Sequence, residues 1–180
     1  PEDTGLGIAI LVASDVGVKL SIFDLRSFYK MHGVRIGEEY QQVVATPWGA
    51  AGVSRRCMFG DAFVAVLLGI RCASLHAHVI KRHLRAFDAL HPPRDARVLM
   101  YVMRRREAMV QAGGNEEDGW CDLFFVSVYC DDHTLASVDD MLFDVHARPV
   151  HGANGLQMGR AEAHLQVAIG VIERLGHRSE

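Results

Sequence analysis

Apolar and polar residues alternate from Val18 to Asp24 (Val-Lys-Leu-Ser-Ile-Phe-Asp), the period-two pattern of a half-buried strand that ends on an acid. A second apolar run, Leu123-Phe-Phe-Val-Ser-Val-Tyr-Cys130, is followed after two aspartates by His133-Thr-Leu-Ala-Ser-Val138. The two runs read as a hairpin closed by a two-residue turn, with a further strand-like segment at 41–46. Helical spacing predicts helices near 60–90, 94–111 and 160–175. Within the first, Leu75, Val79, Ile80, Leu84 and Phe87 form an apolar stripe opposite Lys81, Arg82, Arg85 and Asp88. Pro92-Pro93 stops that helix. An acidic loop at 112–119 precedes the hairpin, and a second loop at 149–155 precedes the last helix. Strands and helices mixed in this order predict an α+β fold with an antiparallel sheet and the 60–90 and 160–175 helices packed on one face.

The stretch with the most chemical content is Tyr129-Cys130-Asp131-Asp132. Adjacent carboxylates at a hairpin tip raise each other's pKa unless a cation lies between them. That placement points to a hard-cation site of Mg²⁺ or Mn²⁺ type built from oxygen ligands, while Asp-Asp is also an ordinary turn pair. Asp24 stands at the end of the first strand. If the two strands are neighbours, three carboxylates converge and can serve two ions, one at the attacking and one at the leaving oxygen of a phosphoryl transfer. Ions so shared sit about 3.5–4 Å apart, which puts the Asp24 and Asp131 carboxyl groups within roughly 4–7 Å. The plainer alternative for Asp24 is a solvated acid at a strand end.

These residues resemble a known family. Lys19-Leu-Ser-Ile-Phe-Asp24-Leu-Arg-Ser-Phe-Tyr29 is similar to the first palm motif of reverse transcriptases from gypsy-type long-terminal-repeat retrotransposons. Val34-Arg-Ile-Gly-Glu-Glu39, Ala45-Thr-Pro-Trp-Gly49, the Tyr129–Asp132 box and Glu162-Ala-His-Leu-Gln with Val171-Ile-Glu-Arg-Leu-Gly-His177 follow in the family's order. The resemblance implies a single polymerase palm-like domain over 1–180, a fragment with incomplete fingers and no thumb. It implies RNA-directed DNA polymerase activity on an RNA or DNA template-primer with deoxynucleotides, and Mg²⁺ or Mn²⁺ as cofactor. Asp24, Asp131 and Asp132 would be the catalytic carboxylates and metal ligands, joined by the backbone carbonyl of Leu25. Tyr29 would be the steric gate against ribonucleotides, and Phe59 and Gly60 would support the nucleotide.

The chain also departs from the family. Where the family's middle motif reads Met-Pro-Phe-Gly-Leu-x-Asn-Ala-Pro, this chain has Cys57-Met-Phe-Gly60-Asp-Ala-Phe63. Phe59 and Gly60 match; the proline, the asparagine and the closing Ala-Pro do not. A helical segment at about 72–118 reads as an insertion. The alternative function is therefore a catalytically degenerate palm retained as a nucleic-acid-binding or interaction module. A third reading is an unrelated small α+β domain whose Asp-Asp turn is incidental.

Composition narrows the setting. At 180 residues, 49% hydrophobic and 23% charged, with mean hydropathy +0.08, the chain has the make-up of one globular domain rather than a disordered segment. The longest apolar run, Ala62 to Ile70, is too short to cross a bilayer, so no membrane partner is expected. The start at Pro1, without Met or signal peptide, suggests an excerpt of a longer protein, inactive on its own. Cys57, Cys72, Cys121 and Cys130 lack paired spacing, which favours a reduced, intracellular setting in cytoplasm or nucleus. Net charge is −3, yet His76–Arg106 carries eight Lys and Arg against two Asp. That excess marks Arg104, Arg105 and Arg106 as candidate phosphate contacts. Cys72, His76 and His83 could offer zinc ligands from one helix face, but no second half of such a site has the right spacing. His32, His133 and His164 read as surface or capping residues.

Overall fold

The computed structural model describes residues 9–11, 13, 15–25, 43–45, 49, 51–53, 70–115, 118–129 and 131–176. Their elements run β1 (Val18–Phe23), β2 (Val43–Ala45), β3 (Ala51–Val53), α1 (Ile70–Leu90), α2 (Ala96–Ala112), β4 (Phe124–Tyr129), β5 (Asp132–Val138) and α3 (Arg160–Arg174). The fold is α+β. β5 is the centre of a three-stranded antiparallel sheet of order β1-β5-β4, and β2 and β3 form a separate antiparallel pair. Sequence pattern alone does not reveal β3, a strand of three residues and too short to show a period.

Alternation along β5 divides the core. Leu135 faces one way and meets Phe23, Leu25, Phe124 and Val126 from the strand side and Ile80, Leu84, Ala168, Val171 and Ile172 from the helices. Ala136 and Val138 face the other way and join Leu11, Val16, Leu123, Val98 and Tyr101. Thus α1 and α3 pack on one face, as the pattern predicts, but α2 does not join them: its Val98 and Tyr101 cover part of the reverse face. The reason lies in Phe125, Ala136 and Val138, which make that end of the reverse face apolar and in need of a cover.

Within α1 the buried face is Ala73, His76, Ile80 and Leu84. The sequence stripe is rotated from this, because it counts Leu75, which is 54% exposed, and omits His76, which is 2% exposed. Ile80 and Leu84 are central to the core, so part of the segment that reads as an insertion is structurally integral. α2 begins where the Asp95 side chain accepts from the Arg97 backbone N–H at 2.8 Å. It ends at Gly113, whose φ of 66° closes the helix as Gly113 and Gly114 N–H groups donate back to Val110 and Met109 carbonyls.

Between β5 and α3 the chain makes an arm held by the bridges Met141↔Gly159, Phe143↔Pro149 and His151↔Gln157. Beneath it lies a buried charge network. Arg160, fully buried, donates from Nε to Asp140 Oδ1 at 2.6 Å and from Nη2 to Asp140 Oδ2 at 3.1 Å. Its Nη1 reaches both Asp88 and the His91 carbonyl. His164 bridges Asp88 and Ser137, at 3.0 Å each. Two sequence expectations change here: Asp88 is not on the solvated face, and His164 is fully buried rather than a surface residue.

Removing Arg160 would leave Asp140 and Asp88 charged, close together and short of a cation. Arg160→Met should therefore lower stability by about 3–5 kcal/mol, read from the shift in a urea unfolding curve. A loss below about 1 kcal/mol would show that the network contributes little.

Candidate metal centre

The pairing register builds the site. β1 runs antiparallel to β5 with Phe23 opposite His133, so Asp24 follows the last pair beside Asp132. β4 and β5 close with Tyr129 opposite Asp132, so Asp132 is the first residue of β5 and the turn comes one residue earlier than the Asp131-Asp132 pair where the sequence pattern places it. Strands from opposite ends of the sequence thus bring Asp24, Asp131 and Asp132 together, each offering a carboxylate oxygen within 4.8 Å of the others. Carboxylates this close could share a cation, and the 4.8 Å limit is compatible with the roughly 4–7 Å expected for two shared ions. Phe23 and Leu25, both buried in the main core, hold Asp24 between them.

The donor set is all oxygen, which suits a hard divalent cation and not a soft one. Asp24 and Asp132 are exposed and Asp131 is half-buried. Burial first, and then the charges of Asp24 and Asp132, push the Asp131 carboxyl above the usual carboxylate range. A cation among the three would reverse that shift by replacing repulsion with attraction. No zinc-type group forms among the described residues: His76 turns inward, and His83 Nδ1 lies 2.9 Å from the Val79 carbonyl of its own helix.

Under the turn lies a feature that the sequence reading assigns wrongly. His133 is 1% exposed, stacks on Phe23 with ring centroids 4.8 Å apart, and places Nδ1 2.8 Å from the Asp131 carbonyl oxygen. Its Nε2 lies 3.2 Å from Nδ1 of His76. The available signal is alternation: His133 shares a face with Leu135, so the strand pattern already points it inward.

Among the described residues, the reverse face beside the carboxylates is exposed. Leu20, Ile22 and Tyr129 are 55%, 69% and 74% exposed there. Arg104, Arg105 and Arg106 are successive on α2 and so point to different sides of it. Arg105 is engaged, donating to the Trp120 carbonyl at 2.9 Å and stacking on the Trp120 ring, while Arg104 lines a cleft with Asp15 and Arg97. Basic side chains do share one face on α1, where His78, Lys81, Arg82 and Arg85 line a cleft of about 530 Å³ with Asp118. Tyr29, Phe59 and Gly60 lie outside the described residues, as do Cys57 and Cys130. Among the described residues no helix is long and apolar enough to cross a membrane.

Comparisons with protein-family models, curated proteins and solved structures found no match. The resemblance to retroelement polymerases accordingly stands on the quoted motifs.

Because the folded-state pKa of Asp131 is raised, the folded protein binds more protons than the unfolded chain between the ordinary value, about 3.9, and the raised one. This group's contribution to stability therefore falls as pH rises through that window, and its full penalty is present at neutral pH. Asp131→Asn should raise the thermal midpoint at neutral pH without divalent cations. Mn²⁺ should then stabilise the wild type and leave the variant unmoved. A variant no more stable than the metal-free wild type would remove the repulsion argument.

Proposed function

We propose that this chain is a reverse-transcriptase-type palm that extends a primer with deoxynucleotides by two-metal nucleotidyl transfer. The observation that carries the reading is the convergence of Asp24, Asp131 and Asp132 across more than a hundred residues of chain. Carboxylates gathered within 4.8 Å are close enough to share ions. Asp24 and Asp131 would hold Mg²⁺ or Mn²⁺ most directly, with Asp132 and the Leu25 carbonyl in support. Such ions activate the attacking hydroxyl and neutralise charge on the phosphates and the leaving oxygen. The protein's own part is positioning. β1 and the β4–β5 turn fix the carboxylates, and the reverse face of the sheet, exposed among the described residues at Leu20, Ile22 and Tyr129, would receive a primer terminus beside them.

A second reading keeps the palm but not the chemistry: a degenerate domain that binds nucleic acid. The divergent stretch around Phe59 and Gly60 favours it. Basic surface serves either reading, most directly through Lys81 and Arg82, which share a face of α1, with Arg104, Arg105 and Arg106 spread around α2.

Expressed with its natural flanking sequence, the protein should extend a primed template only with Mg²⁺ or Mn²⁺. Asp131→Asn should cut the rate by at least about a hundredfold with the fold intact, more than the loss of an outer partner of a metal site costs. Extension at a comparable rate in that variant would eliminate the two-metal assignment. Metal binding without extension would favour the degenerate palm.

Binding of a labelled single-stranded oligonucleotide should weaken steeply with salt. Each lost phosphate contact flattens that dependence by about 0.7 in slope, so changing Lys81 and Arg82 together to Ala should lower it by roughly 1.4 if α1 tracks the backbone. Arg104, Arg105 and Arg106 changed to Ala test α2 in the same assay. An unchanged slope in either case marks that face as merely solvated.

A further inference from the structure

Three connected observations surround the Asp131 turn. His133 and His76 are each almost fully buried, at 1% and 2% exposure. Their rings stack with centroids 5.3 Å apart and meet through a 3.2 Å contact from His76 Nδ1 to His133 Nε2. His133 Nδ1 lies 2.8 Å from the Asp131 carbonyl oxygen.

A carbonyl only accepts, so His133 Nδ1 carries the proton and donates. In the neutral ring Nε2 is then the acceptor, and His76 Nδ1 must be the donor to it. Each hydrogen bond fixes the next: His76 sets the tautomer of His133, and that tautomer points an N–H at the backbone of the turn. The opposite tautomer would set a lone pair against the Asp131 carbonyl.

We infer that His133 and His76 are positioning residues that hold the Asp131 turn in the conformation that gathers the three carboxylates. The inference rests on the metal-site reading and deepens it. The force to be resisted is the mutual repulsion of Asp24, Asp131 and Asp132, which would otherwise open a two-residue turn. Tyr129 and Asp132, the pair that closes the turn, are both exposed, so the His133 contact ties the turn from the buried side. An acidic turn pinned from below costs less to load with a cation, because its ordering is complete before the ion arrives. His76 comes from α1, so the segment that reads in the sequence as an insertion reaches the carboxylate centre.

The test uses Mn²⁺ alone as probe, with affinity from its paramagnetic resonance signal and folding from circular dichroism. His133→Leu removes the donor and should weaken Mn²⁺ binding by about 10–100-fold, the range for outer partners of metal ligands. His133→Asn places an amide N–H where Nδ1 stood and should hold affinity within about threefold, since the hydrogen bond survives. His76→Phe keeps a ring in the core but frees the tautomer, and should fall between the two. Leu and Asn variants that bind as tightly as each other overturn the inference, whether both are strong or both weak. If His133→Leu does not fold, the Asn and His76→Phe variants decide it: equal affinities there overturn it as well. A folded wild type with no Mn²⁺ affinity removes the metal-site reading itself, and this inference with it.

Discussion

Register in an antiparallel sheet is an all-or-none quantity, because a slip of one residue turns every side chain to the opposite face. In this protein β5 bears that constraint alone, paired with β1 on one side and β4 on the other. With Phe23 opposite His133 and Tyr129 opposite Asp132, Leu135 enters the main core, His133 comes to rest below the turn and the three carboxylates meet. A one-residue slip of β1 would expose Phe23, bury Ile22 against the helices and carry Asp24 away from Asp132. The register is defended from both faces, since Leu135 packs under α1 and α3 while Ala136 and Val138 pack with α2.

The two ends of the sheet treat charge in opposite ways. At the Val138 end, Arg160 lies between Asp140 and Asp88, and His164 and the His91 carbonyl fill the remaining hydrogen-bond positions. Buried charge is tolerable only when paired and hydrogen-bonded in this manner. At the turn, three acids face one another with no cation among their described partners, and burial first, then the charges of Asp24 and Asp132, push Asp131 up in pKa. Charge is thus paired with a buried arginine at one end of the sheet and gathered as three like charges at the other.

Histidine links these ends to the helices. His76 and His133 join α1 to the turn, and His164 joins α3 to Asp88 near the end of α1 and to Ser137 on β5. All three are buried on the face that α1 and α3 cover. A hydrophobicity pattern treats histidine as polar and places it outside, so the rotated stripe on α1 and the surface assignment of His164 share one cause. Their partners lie at sequence separations of 57, 27 and 76 residues, beyond any local pattern.

What the chain determined by itself is the local part of this architecture. The period-two runs marked β1, β4 and β5, helical spacing marked most of α1, α2 and α3, and Asp131-Asp132 marked the turn to within one residue, because each signal lies within a few neighbouring residues. Asp24 and the Asp pair were legible as candidates, and so was the chemistry of an oxygen-only cation site. Their meeting lay in no local pattern; the family resemblance implied it, and the antiparallel pairing of β1 with β5 brings it about. Tertiary structure decided that β5 would be central, that α2 would cross to the reverse face and that Arg160, a charged residue in a helical pattern, would be fully buried between two acids. Each of those outcomes is a pairing between distant residues, set by which apolar faces had to be covered and which charges could be paired once they were.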